Sequence, residues 1–174
     1  AMCGILMLSK EEKDHTAEFL YTHPVSRIQV LNGKLAALLV QILILNAAVL
    51  LVALVSIYGT GEDIPWKEIL LLHLAYLLLQ LELAFICFGI SAFLRKGGTG
   101  IGLGLAIVLY FFNIIANISD AAEFLKYISP YGYAEGTDIV VNTSLDGTLI
   151  LLGMLYAAIG IVAGYVKYNR KDLM

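Results

Sequence analysis

Four runs of this sequence are too apolar and too long to be left in water: residues 35–58, 69–94, 101–118 and 148–166. The first carries no charge, and Gln41 and Asn46 are its only strongly polar interior residues; the second is interrupted by one acid, Glu82. A helix rises about 1.5 Å per residue, so roughly 20 residues cross the ~30 Å hydrocarbon core of a bilayer. Inside that core no water pairs with a free peptide group, which leaves the helix as the conformation that satisfies its own backbone. The expected fold is therefore all-α: a polytopic helical membrane protein, one membrane domain over residues 1–174 with four transmembrane helices. Composition agrees, since 60% of the residues are hydrophobic and 14% charged, against about 45–50% and about 25% in soluble domains.

Lysine and arginine order the ends of these runs. Lys10, Lys13, Arg27, Lys34, Arg95, Lys96, Lys167, Arg170 and Lys171 fall before the first run, between the second and third, or after the fourth. Of the 11 basic residues that leaves Lys67 and Lys126 for the other two loops, which carry Glu62, Asp63, Glu68, Asp120, Glu123, Glu135, Asp138 and Asp146. Cytoplasmic loops hold the excess of basic residues. Residues 10–34, the 95–99 turn and the 167–174 tail are thus expected in the cytoplasm of a multi-pass protein of the cell (plasma) membrane. Tyr58 and Trp66 outside, and Tyr165 and Tyr168 inside, stand where aromatic belts belong.

Residues 10–34 are the longest polar stretch. Ser9-Lys10-Glu11-Glu12 fits a capping box, with Ser9 starting a helix and Glu12 reaching back. That helix places Ala17, Leu20 and Tyr21 on one face and acids on the other. Thr22-His23-Pro24 breaks it, because proline disfavours helix at the residue before it and readily starts a new one. The second piece carries Arg27 and Lys34 beside Val30 and Leu31, a basic amphipathic entry to the bilayer. Residues 1–9 are too few to span and lack the basic flank and cleavage site of a signal peptide. They read as the tail of a preceding helix or as an interfacial lead-in.

The outer loop, 119–147, is long for a compact membrane domain. Ala121, Leu125 and Ile128 fall at helical spacing among aromatic residues and Pro130 ends the run, so a short helix at or dipping into the outer interface is expected. Within the spans, Glu82 sits mid-helix, where an acid costs about 2.5–3.5 kcal/mol on insertion scales. Asn46, midway along an antiparallel neighbour, falls at the same depth, and a hydrogen bond between them is geometrically open. Two readings of Glu82 stand: it lines a substrate or proton path, or it is a neutral, hydrogen-bonded packing residue. His73, Tyr76 and Gln80 form a polar stripe at i, i+3 and i+7, and helical phase puts Glu82 about 180° from His73. That stripe, and the pair Asn113 and Asn117, read better as interhelical hydrogen bonding than as titrating sites.

No Ser/His/Asp, Cys/His or paired-carboxylate arrangement points to catalysis, and the spacing of His15 and His23 resembles no metal site. No catalytic, cofactor or metal residue is assigned. The net charge of −3 comes without a large basic patch and argues against nucleic acid as a partner. Cys3 and Cys87 read as small core hydrophobes. The glycine run 97–104 looks like a phosphate loop but lacks the GK[ST] ending and enters a span. Gly98/Gly102, Gly100/Gly104 and Gly160/Gly164 instead suit close helix packing.

Glu12-Lys13-Asp14-His15-Thr16-Ala17-Glu18-Phe19-Leu20-Tyr21-Thr22-His23-Pro24-Val25-Ser26-Arg27, followed by Gly33-Lys34, resembles the cytoplasmic element of ABC-2 type transporter permeases. There an acidic stretch leads to T-x-E-x-L, then P-V-S-R, then a G-K entering the next helix. Ile90-Ser91-Ala92-Phe93-Leu94-Arg95, Ser129-Pro130-Tyr131 and Asn169-Arg170-Lys171-Asp172-Leu173 resemble three further family features in the right order, so the likeness covers essentially the whole chain. It implies half of the membrane pathway of an ATP-driven transporter, commonly an exporter. A second permease chain pairs with it as a homo- or heterodimer, and a separate ATP-binding-cassette ATPase subunit docks on the cytoplasmic side. ATP and magnesium then belong to that subunit, with no cofactor in this chain. The docking residues implied are Glu12, His15, Ala17, Glu18, Leu20, Tyr21, Pro24 and Arg27 of the 10–34 coupling helix, and 119–147 matches an outer re-entrant hairpin. Family members usually have six spans; four plus a fragment here imply that the first two helices are missing.

Asn46, His73, Gln80, Glu82 and Asn113 remain candidates for an intramembrane polar pathway or for packing. Two other classes stay open: a proton-linked secondary carrier using Glu82, and a non-transporting membrane scaffold or immunity protein. The lipid bilayer is a partner in every case.

Overall fold

A computed structural model of the chain describes residues 1–13, 26–94 and 98–170, with residues 9–13 described in their backbone alone. The described residues form helices α1 (Met2–Lys13), α2 (Arg27–Thr60), α3 (Trp66–Ser91) and α4 (Thr99–Ile118), then a 3-10 turn (Asp120–Ala122). Helices α5 (Leu125–Ile128), α6 (Gly136–Asn142) and α7 (Gly147–Asn169) follow, and no strand occurs among the described residues. Helices α2, α3, α4 and α7 are each long and apolar enough to cross a membrane. They coincide with the four expected spans, with ends that differ by a few residues. The exception is α2, whose 34 residues make a rod about 50 Å long. It outreaches a ~30 Å core because the basic lead-in from Arg27 to Lys34 is helical and continuous with the span.

Local chemistry accounts for the ends. Ser26 Oγ accepts from Gln29 N at 3.2 Å while Ser26 N donates to Gln29 Oε1 at 3.0 Å, a reciprocal capping box that starts α2. At its other end Gly61 takes φ 74°, the left-handed turn that glycine allows at low cost. Asp146 caps α7 by accepting from Thr148 N at 2.8 Å and Leu149 N at 3.3 Å.

Helix α3 is the hub, packed between α1 and α7. A Cβ on Gly89 would collide with the Gly160 carbonyl, and one on Gly160 would stand 2.6 Å from Phe85 O. The two backbones therefore approach as only small residues permit. Gly164 rests on the Phe88 ring, whereas Gly100 and Gly104 face open space. The packing expected of the glycine pairs thus holds for Gly160/Gly164 and not for Gly100/Gly104.

The expectation of a helix starting at Ser9 is corrected. The backbone is helical from Met2 through Lys13, so Ser9 lies inside a helix. Upstream, Ile5 and Leu8 are fully buried and Leu8 shares a core with Ala84 and Phe88. Packing thereby holds the helix on the N-terminal side of the capping pattern.

Between α4 and α7, residues 119–146 form a segment of short helices that enters the helix layer. Ser129 is buried and its Oγ donates to Leu109 O at 2.8 Å. Leu109 lies nine residues before the end of α4, about 14 Å in from that end. Tyr131 packs edge-on to Tyr110 with centroids 5.5 Å apart. Pro130 stands just after α5, as expected, but α6 was not foreseen.

Candidate functional site

Two groups of side chains set in otherwise apolar helices define the candidate site. The first is intramembrane. Glu82 on α3 is 0% exposed, and neither carboxylate oxygen has a hydrogen-bond partner. The Asn46–Glu82 hydrogen bond is therefore not formed. The rotation of α3 instead lays the carboxyl flat on Gly153 of α7, where a Cβ would overlap all three of its atoms. The hairpin closes the third side with Tyr133, which is 4% exposed and whose hydroxyl is likewise unpartnered. Burial first, and then the neighbouring Glu82 carboxyl, holds the Tyr133 hydroxyl well above the usual phenol range. The two groups are near enough to interact electrostatically without meeting hydrogen-bond geometry.

The polar stripe on α3 has a different neighbour. His73 Nδ1 lies 2.9 Å from Ile69 O on its own helix, while His73 Nε2 and Gln80 Oε1 are buried without partners. Tyr76 Oη would lie 3.5 Å from a Cβ on Gly136, so this face of α3 abuts the start of α6. Asn113 and Asn117 on α4 each donate through Nδ2 to Glu135 Oε2 at 3.2 Å. The two asparagines thus hold a carboxylate of the outer segment against the end of a span, with Asn113 only 4% exposed.

The structure brings Asn113 together with Asn117 through Glu135, and Glu82 together with Tyr133 and Gly153. It does not join Asn46, which is half-buried on α2, to either group. Tyr133 and Gly153 were not singled out in the sequence, and Ser129 and Glu135 were named only as part of a family step and as a loop acid. Glu135 looked like one more acid of the outer loop, and nothing local marks Gly153 as the seat of a carboxyl that lies 71 residues earlier in the chain. The Ser26/Gln29 capping box was likewise not singled out, although S-x-x-Q stands two residues after Pro24.

The second group lies where α1, α2 and α7 meet. Lys34 Nζ donates to Met7 O at 2.6 Å, Arg27 Nη1 donates to Asn169 O at 3.2 Å, and Tyr165 Oη donates to Asn32 Oδ1. Arg27 thus satisfies a carbonyl at the end of α7 that the helix itself leaves open. Of the docking residues, His15, Ala17, Glu18, Leu20, Tyr21 and Pro24 lie outside the described residues, and Glu12 is described as helical backbone alone. Cys3 and Cys87 are free thiols. Among the described residues no three His, Cys, Asp or Glu side chains gather closely enough to hold a metal ion.

No curated protein and no solved structure matches the chain. A family profile described as "ABC-2 family transporter protein" matches it over residues 1–173. That span takes in the polar run, all four membrane-crossing helices and the hairpin set between the last two, so the chain belongs to the ABC-2 transporter family as a membrane-spanning permease component of an ABC transporter.

Proposed function

We propose that the chain is a permease subunit that exports its cargo, pairs with a second permease chain, and is driven by a separate cassette ATPase docked on residues 10–34. ATP and magnesium sit in that partner, and this chain supplies no cofactor site. The observation that carries the reading is the family match over 1–173 together with a polar run set between α1 and α2, at the end where the basic residues gather. A docked helix couples ATP hydrolysis to the spans only if the two states of the ATPase hold it differently. The bonds of Lys34 to α1 and of Arg27 and Asn32 to α7 provide a route by which such a push would reach three helices at once.

The test is purification with the companion ATPase. Association is expected to be lost on deleting residues 11–22, and charge reversal at Glu18 or Arg27 is expected to leave ATP hydrolysis without transport. If transport and stimulated hydrolysis both survive the two reversals, the docking assignment fails. A second reading, a proton-linked carrier working through Glu82, draws on the two unpartnered carboxylate oxygens. It expects flux that follows a pH gradient without any ATPase and is abolished in Glu82→Gln.

A further inference from the structure

Helices α4 and α7 stand apart, and the space between them is a cleft of about 480 Å³ with α3 as its back wall. Leu105 and Leu109 form one side, Ile159 and Ala163 the other, and Ile128 and Pro130 of the hairpin roof it. Its one side-chain hydroxyl, on Tyr156, already donates to Tyr127 O at 3.1 Å. The lining carries no charged side chain, so the cleft has no use for a polar ligand along its length. Ile128, Ile159 and Phe93 at its rim are exposed large hydrophobics, which makes the cleft continuous with the bilayer-facing surface of the spans. A recess of this size walled by hydrocarbon is costly to leave unfilled, and fluid chains lie beside it.

One end of the cleft is charged. Lys167 follows Ala163 by four residues on α7 and so shares its face, and its Nζ stands 5.5 Å from the centroid of the Phe93 ring, within cation–π range. An apolar slot within the spans that ends at an ammonium group matches an acyl chain joined to an anionic headgroup. Basic pockets between membrane helices bind such headgroups.

We propose that this cleft is a binding site for an anionic phospholipid from the leaflet at the C-terminal end of α7, with one acyl chain between α4 and α7 and the headgroup on Lys167. Among the described residues no acid pairs with Lys167, and a neutral lipid would leave it so. A helix of a second copy would have to enter between α4 and α7 rather than lie across them. The site rests on the membrane-crossing architecture and not on coupling to an ATPase, so either can fail without the other.

The experiment places the full chain in phosphatidylcholine nanodiscs containing a minor fraction of phosphatidylglycerol and counts retained lipid by native mass spectrometry. Wild-type protein is expected to retain phosphatidylglycerol in preference to phosphatidylcholine. Lys167→Gln is expected to lower that preference about fivefold, the factor carried by one lysine near an anionic surface. Ala163→Trp, which fills the cleft, is expected to release lipid of either headgroup; if it does not fold, Leu105→Phe is read in the same way, with reduced retention expected. No lipid retained by the wild type, an unchanged preference in Lys167→Gln, or unchanged retention in the folded filling variant overturns the proposal. So does a two-chain mass that carries no lipid, which would show the cleft covered by a second copy.

Discussion

A carboxyl group sealed between two helices and a hairpin depends on the shape of its seat. Glu82 rests on Gly153 with no room for a Cβ, so Gly153→Ala should destabilise the fold by about 1–3 kcal/mol, the usual penalty for overpacking. Because the clash is with the carboxyl itself, Glu82→Ala should relieve it. Thermal unfolding of the two single variants and the double variant is expected to show a coupling of about 0.5–3 kcal/mol; simple additivity would mean the contact does not exist. Tyr133 supplies a pH dependence of known sign. Its hydroxyl is held above the ordinary value near 10, so the unfolded chain releases that proton at a pH where the folded chain keeps it. The contribution is intact below about pH 10 and is lost as the pH rises beyond it. Alkaline unfolding should therefore be less steep in pH for Tyr133→Phe; an unchanged slope would remove Tyr133 from the account. An acid in mid-span was conspicuous in the sequence, but its partners were not. Periodicity places Glu82 on a face of α3 without saying which helix that face meets.

At the scale of elements, the four spans were legible because each is specified by its own residues, through length and hydropathy. The caps were not legible: Ser9 with Glu12 fits the pattern but falls inside α1 because Ile5 and Leu8 are packed upstream, while the pair that does cap α2, Ser26 with Gln29, was not singled out. The hairpin is the element least determined locally. Helix α6 opens on glycine and carries Ile139, Val140 and Val141, residues with weak helical preference, and it is held by burial of Ile139 and by the Asn113 and Asn117 bonds to Glu135. Its inward reach turns on Ser129 and the carbonyl of Leu109. Ser129→Ala removes that buried bond, worth about 1 kcal/mol. Hydrogen–deuterium exchange should then quicken over residues 129–134 while α3 and α7 keep their protection. Equal loss of protection everywhere would mean that the hairpin does not move as a separate unit.

For the whole molecule, the alternation of charge makes a prediction independent of any contact. On a background with Cys3 and Cys87 replaced by serine, single cysteines at Gly61 and Asp146 should be labelled from one side of the membrane, and those at Thr99 and Arg170 from the other. A pair that labels from both sides would break the topology. Class and span number were determined by the sequence itself, since each is a sum over neighbouring residues, hydropathy along a run; the sidedness expected from lysine and arginine within each loop is a sum of the same kind. Those sums do not depend on what a helix packs against. The tertiary structure alone decided that Glu82 meets Gly153 and Tyr133 rather than Asn46, that Arg27 closes the end of α7, and that a cleft ending at Lys167 opens between α4 and α7. Each of these depends on the rotation and spacing of whole helices, which the close contact of Gly89 with Gly160 sets for α3 and α7 and which no single segment carries.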